Sequence, residues 1–376
     1  MLPYLPALGY GFVYDDAWTV VGNPWLRRPL ADALRRCLNG TAPRAGIPAP
    51  TRPAMTASIW LDVALHRFSP AWMHFTSLCL HGLVCALATV TAFALMRHRA
   101  RALAAGALFA VCASHAEAVM VINYREDLLA AAGVLVAVSV VHWPTRDARR
   151  SLAWDALAAL AWLTALCAKE NAVALVPVVL FVAMSRRAPT AWAAAHERTL
   201  AWLLAALAVW GCWRTSLAIN GDDLPRAVAG PAFDRALRFA RYECWMLRAS
   251  LFPLRASPVY DTAARPAVAY LAGFGLELAV AAYTLRKPSL RAIGLGLAWI
   301  LAASLPTSPL ARPANEFADR YVLLPSLGGA MCWVGLASIA LRAPRVRWAV
   351  LAAAGLADQH LQQALGWDDE HLNNFL

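Results

Sequence analysis

Hydrophobic runs recur from one end of this 376-residue chain to the other, separated by short polar stretches. Most approach the roughly 17–25 residues that a helix needs to cross a bilayer. They lie near 74–96, 102–121, 127–143, 151–167, 171–184, 199–217, 267–285, 290–305, 321–341 and 347–365, and each predicts a transmembrane helix. A further apolar stretch, residues 1–13, is too short to span about 30 Å of hydrocarbon. It predicts a truncated first span or a start further upstream, and it has no charged leader and cleavage site of a signal peptide. Two long polar stretches interrupt the series, 14–73 and 214–266. In the second, Arg235, Arg238, Arg241 and Arg248 recur near helical spacing, with Phe239, Trp245, Met246 and Leu247 elsewhere on the wheel. That pattern predicts an interfacial helix. No internal repeat interrupts residues 1–376, so the expectation is a single all-α polytopic transmembrane domain of about eleven helices.

Composition agrees: 60% of the residues are hydrophobic and 15% charged, against roughly 45–50% and 25% in soluble domains. Basic residues orient the bundle, because short cytoplasmic loops are enriched in Lys and Arg. Arg97, Arg99 and Arg101 fall on one side with Arg146, Arg149, Arg150, Arg186, Arg187, Arg198, Arg286, Lys287, Arg291, Arg342, Arg345 and Arg347. That side is expected to be cytoplasmic, and the net charge of +11 reports this topology rather than nucleic-acid binding. Six of the eight cysteines, Cys79, Cys85, Cys112, Cys167, Cys212 and Cys332, lie inside the expected spans without metal-ligand spacing and read as small buried hydrophobes. Asn39-Gly40-Thr41 is a glycosylation sequon, meaningful if the outer side is an endoplasmic-reticulum lumen.

Against this apolar background the adjacent acids Asp15 and Asp16 stand out, at the point where the first apolar stretch ends. Charge at a membrane edge is expensive unless it meets water or a partner, which makes the pair a candidate functional site. The alternating topology collects further ionisable residues on the same outer side: His115, Glu117, Arg125, Asp127, Lys169, Glu170, Arg312, Glu316 and Arg320. Spans cross the bilayer side by side, so these loop ends can meet in space.

Several of these stretches, in order, resemble the membrane region of the transmembrane and tetratricopeptide-repeat O-mannosyltransferases, of the GT-C glycosyltransferase class. The resemblance rests on Gly11-Phe12-Val13-Tyr14-Asp15-Asp16 with Asn23-Pro24, on Arg52-Pro53 with Thr56, His74 and His81, and on His115-Ala116-Glu117-Ala118-Val119. It continues through Arg125-Glu126-Asp127-Leu128-Leu129, Lys169-Glu170 and Asn315-Glu316-Phe317-Ala318-Asp319-Arg320-Tyr321, then Leu324-Pro325-Ser326. No repeat array follows the last expected span within these residues. The resemblance implies a GT-C-like bundle that moves a sugar, mannose by family, from a polyprenyl-phosphate donor to a protein hydroxyl outside the cytoplasm, with inversion. Asp16 or Asp15 would be the general base, Arg125, Arg320 and Lys169 would bind the donor phosphate, and His115, Glu117, Asp127 and Glu170 would orient the acceptor or the base. No metal or other cofactor is indicated. The expected partners are the lipid bilayer, the lipid-linked donor and the protein acceptor, in a bacterial inner membrane or the endoplasmic reticulum. The competing classes are a catalytically inactive membrane anchor and a lipid or solute transporter, although transporters tend to place charge near the midplane on broken helices in repeated halves.

Overall fold

A computed structural model describes residues 2–40, 51–143, 151–184, 188–219, 231–253, 267–309 and 317–342. Among these residues every regular element is helical. The chain enters through a 3-10 stretch, Leu2–Gly9, whose Tyr4 stands edge-on to His81 and donates its hydroxyl to the Cys112 carbonyl. The stretch 14–73, expected as a loop, contains two helices, α1 (Leu30–Asn39) and α2 (Pro53–His66). Gly40, with φ 64°, closes α1 in the left-handed conformation that glycine adopts without strain.

The bundle proper begins with α3 (Pro70–Met96) and returns through α4 (Arg99–Ala110), which bends by 57° into α5 (Ala116–Met120). It continues through α6 (Arg125–His142), α7 (Leu152–Ala168), α8 (Leu175–Met184), the short α9 (Pro189–Ala195) and α10 (Glu197–Ile219). The last four are α11 (Ala232–Leu251), α12 (Ala267–Arg286), α13 (Arg291–Ser304) and α14 (Ser326–Arg342). Proline in the first turn, where its missing N–H costs no hydrogen bond, opens α2, α3 and α9.

The protein is therefore an all-α, multi-pass membrane protein, but the count of eleven spans is not what the described residues display. Four helices are long and apolar enough to cross a membrane, or five if the bent α4–α5 pair is one span. The reasons are local. The helices α7, α8 and α14 are apolar but short, and α6, at 18 residues, opens on the three charges of Arg125, Glu126 and Asp127. The expected span at 347–365 lies outside the described residues.

The largest core cluster joins α3, α4, α6, α7, α8, α13 and α14 around Trp162 and Trp299. Small residues let these backbones approach. Gly133 of α6 lies against the Ala161 carbonyl of α7, and Gly296 of α13 against the Gly328 carbonyl of α14, so a Cβ at either glycine would collide. Large apolar side chains on the perimeter, among them Leu103, Leu160, Val268 and Leu276, stay exposed, as expected of a lipid-facing surface. Helix α11, expected to lie at the interface, packs one side against the bundle: Tyr242, Trp245 and Met246 form a second core with Ile300, Phe317, Tyr321 and Val322.

Helix directions sort the charges to two ends. Arg97 at the end of α3 donates to the His142 carbonyl at the end of α6, at 2.6 Å, and Arg198 at the start of α10 pairs with Asp155 at the start of α7. At the opposite end lie the start of α6, the turn after α7 and the start of α14.

Candidate active site at one end of the bundle

The two acids are set by a strained backbone. Tyr14 has φ 54°, a left-handed conformation uncommon for a bulky residue. It reverses the chain before a short helical turn, Ala17–Val21, and the Gly11 carbonyl is tied to His74 Nε2 at 3.2 Å. Asp15 and Asp16 then point to different surroundings. Asp16 is fully buried and accepts three backbone N–H bonds, from Asn123 at 2.8 Å, Val13 at 3.2 Å and Ile122 at 3.3 Å. Burial pushes its carboxyl above the ordinary aspartate value, and the three amides pull it part of the way back. Asp15 is half-buried; its Oδ2 accepts from the Tyr124 hydroxyl at 3.0 Å and its Oδ1 from Trp18 Nε1 at 3.4 Å. Burial drives the Tyr124 phenol well above its usual range, so it stays a proton donor to Asp15.

From Tyr124 the site continues to Arg320, whose guanidinium lies 4.6 Å over the Tyr124 ring and 5.0 Å from that of Tyr321. Glu117 of α5 accepts from both the Arg320 backbone N–H, at 2.9 Å, and its guanidinium. Burial works against charge on Arg320, but the Glu117 carboxylate and the neighbouring tyrosines outweigh it and hold the guanidinium above its ordinary pKa.

A second ionic group adjoins the first. Lys169, at the end of α7, pairs with Asp127 at 2.5 Å and Glu126 at 2.9 Å. Arg52, which precedes α2, bridges Glu126 and Glu170, the latter at 3.0 Å. Asp127, Asn171, Thr307, Arg320 and Tyr321 line a small cleft with about 20 Å³ of free room, enough for about one water molecule, whose remaining walls are Ala130, Ala131, Val134, Ala172, Ala303, Leu323 and Leu324.

Of the expected site residues, Asp127 and Arg320 line the cleft; Asp15, Asp16, Glu117, Lys169 and Glu170 do not, and neither do Arg125 and His115, which lie in buried networks of their own. Arg125 is fully buried, 2.7 Å from Asp62 of α2, and it also donates to the Met73 carbonyl at 2.7 Å and to Ser58 and Ser77 at 3.2 and 3.3 Å. It does not line the cleft. His115 is buried between His81, at 3.2 Å, and the Ser326 hydroxyl, at 2.8 Å. Arg312 and Glu316 lie outside the described residues. Conversely Tyr124, Asp62 and Asn171 belong to these networks without having stood out in the sequence. Only their position beside charged residues, or one face of a helix away from them, hints at it. No group of His, Cys, Asp and Glu side chains suited to a metal ion occurs among the described residues.

Fold and site together define a multi-pass, all-helical membrane protein with an ionic cleft at one end of its bundle. Over part of its length the chain is similar to transmembrane and tetratricopeptide-repeat O-mannosyltransferases. It is 36% identical over 137 residues to protein O-mannosyl-transferase Tmtc1 of Drosophila melanogaster, 36% of this chain and 16% of that protein. It is 31% identical over 157 residues to protein O-mannosyl-transferase F38B6.6 of Caenorhabditis elegans, 39% of this chain and 22% of that protein. It is 32% identical over 194 residues to Tmtc2 of Drosophila melanogaster, 48% of this chain. The chain thus spans about a fifth of the length of the curated relatives it matches. No protein-family model matches it.

Proposed function

We propose that this chain is an integral-membrane glycosyltransferase that moves mannose from a polyprenyl-phosphate carrier to a protein hydroxyl outside the cytoplasm, with inversion. The observation that carries the proposal is the pairing of a half-open carboxylate with a guanidinium across one tyrosine: Asp15 on the Tyr124 hydroxyl, Arg320 over the Tyr124 ring. A direct displacement needs a base for the incoming hydroxyl and a cation for the departing phosphate, held on either side of the reacting carbon. Asp15 takes the proton of the acceptor hydroxyl as its oxygen bonds to the anomeric carbon. The bond from that carbon to the carrier phosphate breaks, and its electron pair leaves with the phosphate. Asp15 suits the base role better than Asp16, because three amides already occupy the Asp16 oxygens.

Arg320 serves the phosphate. Only one of its five guanidinium N–H donors is engaged by Glu117, and the residue lines the cleft. Glu117 positions Arg320. Arg125 and Lys169, both locked in buried ion pairs, hold the start of α6 and the turn after α7 in place. Asp127 and Glu170 position Lys169 and Arg52, and His115 braces α14 through Ser326.

The test is transfer itself. Membranes or nanodiscs carrying the full chain are incubated with polyprenyl-phosphate mannose, labelled in the sugar, and a Ser/Thr-rich acceptor protein. The expected result is labelled acceptor with the anomeric configuration opposite to the donor's. Donor that crosses the bilayer unchanged, with no labelled acceptor, would instead establish a transporter.

A further inference from the structure

We infer that helix α2, with the Arg27–Arg28 corner packed on it, forms an interfacial platform that binds the headgroup phosphate of anionic phospholipids. Helix α2 turns Met55, Ile59 and Asp62 into the protein, while Leu61 and Leu65, one turn apart on another face, are more than half exposed. Such a pair is unfavourable against water and favourable in the acyl boundary of a bilayer. The membrane edge is close. Helix α3 is long and apolar enough to span, starts at Pro70, and leaves Trp72 and Phe75 half-exposed in its first turns, where aromatic rings favour the headgroup level. His66, at the end of α2, stacks on Trp72 with ring centroids 4.5 Å apart, so the exposed edge of α2 runs into that aromatic belt.

Arginines gather at the same level. Arg67 stands between the end of α2 and the start of α3. Arg27 lies 4.3 Å over the Phe68 ring, and the Arg28 carbonyl accepts from Trp60 Nε1 at 2.8 Å, which fixes the corner on α2. Arg27, Arg28 and Arg67 are all exposed, and among the described residues no hydrogen bond or ion pair engages the guanidinium of Arg28 or Arg67. The acids of α1 and α2 are committed elsewhere: Asp62 pairs with Arg125 and accepts from Thr76, and Asp32 pairs with Arg35. Cations above an apolar edge, with no local carboxylate to neutralise them, complement a lipid of net negative charge. Its chains pass along Leu61, Leu65 and Trp72, and its phosphate meets the guanidiniums, whose planar forks suit phosphate oxygens. A zwitterionic lipid offers the chains without the net charge; a soluble phosphate offers the charge without the chains.

The test places the full chain in phosphatidylcholine nanodiscs containing a trace of photoactivatable phosphatidylglycerol or, in a matched sample, photoactivatable phosphatidylcholine, and maps the cross-linked residues by mass spectrometry. Phosphatidylglycerol is expected to label α2 and the start of α3 at least about fivefold more than phosphatidylcholine does, the factor that one arginine contributes at an anionic headgroup. The preference should shrink as salt is added. Arg28→Gln combined with Arg67→Gln should abolish the preference and leave labelling by phosphatidylcholine unchanged, which shows that the edge still lies in the bilayer. Arg28→Lys combined with Arg67→Lys keeps the charge and should keep the preference. Equal labelling by the two lipids in wild type, no labelling of this edge by either, a preference that survives in the glutamine pair, or one lost in the lysine pair would each overturn the inference. So would loss of the preference on adding glycerol phosphate or polyprenyl phosphate in an amount equal to the phosphatidylglycerol, since the patch would then belong to a soluble anion or to the sugar carrier.

Discussion

Arg125 and Arg320 both belong to the outer group of charges expected from the topology, yet the fold gives them opposite surroundings. Arg125 is sealed between α2, α3 and α6, with Asp62 as its counter-charge and two serines and a carbonyl around it. Arg320 lies on the cleft, stacked on aromatic rings and paired on one side with Glu117. A guanidinium whose donors are consumed inside the protein can organise helices, whereas one with donors left over beside a cleft can meet a phosphate. Charge and residue type are the same; packing assigns the work.

The largest expected effect tests the sealed side. Asp62→Ala leaves Arg125 buried without its counter-charge, which should cost about 3–5 kcal/mol. The loss would be read as a large fall in melting temperature and in monodisperse protein after detergent extraction. A variant that melts like wild type would remove Arg125 from the structural role. On the cleft side, Arg320→Ala should lower transfer per folded molecule about a hundredfold or more, since a donor that stabilises developing negative charge is worth about that much, and it should also lower the melting temperature, because it strips the buried Glu117 of its counter-charge. Arg320→Lys should recover part of it, as a point charge without the planar fork. If the alanine variant transfers normally, the phosphate is met elsewhere.

A smaller effect tests the packing that holds α6, the helix that carries Arg125, Glu126 and Asp127. Gly133→Ala drives a methyl group into the Ala161 carbonyl and Ala165 of α7. The strain should cost about 1–3 kcal/mol, seen as a lower melting temperature with transfer per folded molecule retained. The smallest expected effect is the pH dependence contributed by Asp16. Burial raises its folded-state value above the ordinary 3.8. The folded chain therefore holds that proton to higher pH than the unfolded chain, and stability falls as pH rises from about 4 through the folded value. Melting curves of wild type and Asp16→Asn across that window should differ in slope, with the downward limb present only in wild type.

Much of the ionic end was legible in the sequence, since the alternating spans already placed Asp15, Glu117, Lys169 and Arg320 on one side. The pairings were not. Glu117 and Arg320 are 203 residues apart, and only the packing of the 319–322 turn on α5 joins them. Asp127, by sequence a natural partner for Arg125, cannot be one, because residues two apart on a helix face different ways. The periodicity of α6 contained that information, whereas the choice of Asp62 depended on where α2 folds within a stretch that reads as loop. Likewise, two adjacent aspartates are equivalent in sequence, and only the reversal at Tyr14 turns one to backbone amides and the other to a phenol. Tyr124 and Asn171 carry no charge and break no pattern, so nothing short of the fold singles them out.

The most direct test sets Asp15→Asn beside Asp16→Asn, with sugar transfer and melting temperature measured on the same purified protein. Losing a general base costs about 10²–10⁴-fold in rate. Asp15→Asn should therefore fall by that factor and melt like wild type. Asp16→Asn, which replaces an acceptor of backbone amides with an NH₂ group, should lose stability while the molecules that remain folded still transfer. The account is contradicted if Asp15→Asn transfers mannose at the wild-type rate, or if Asp16→Asn is stably folded and inactive.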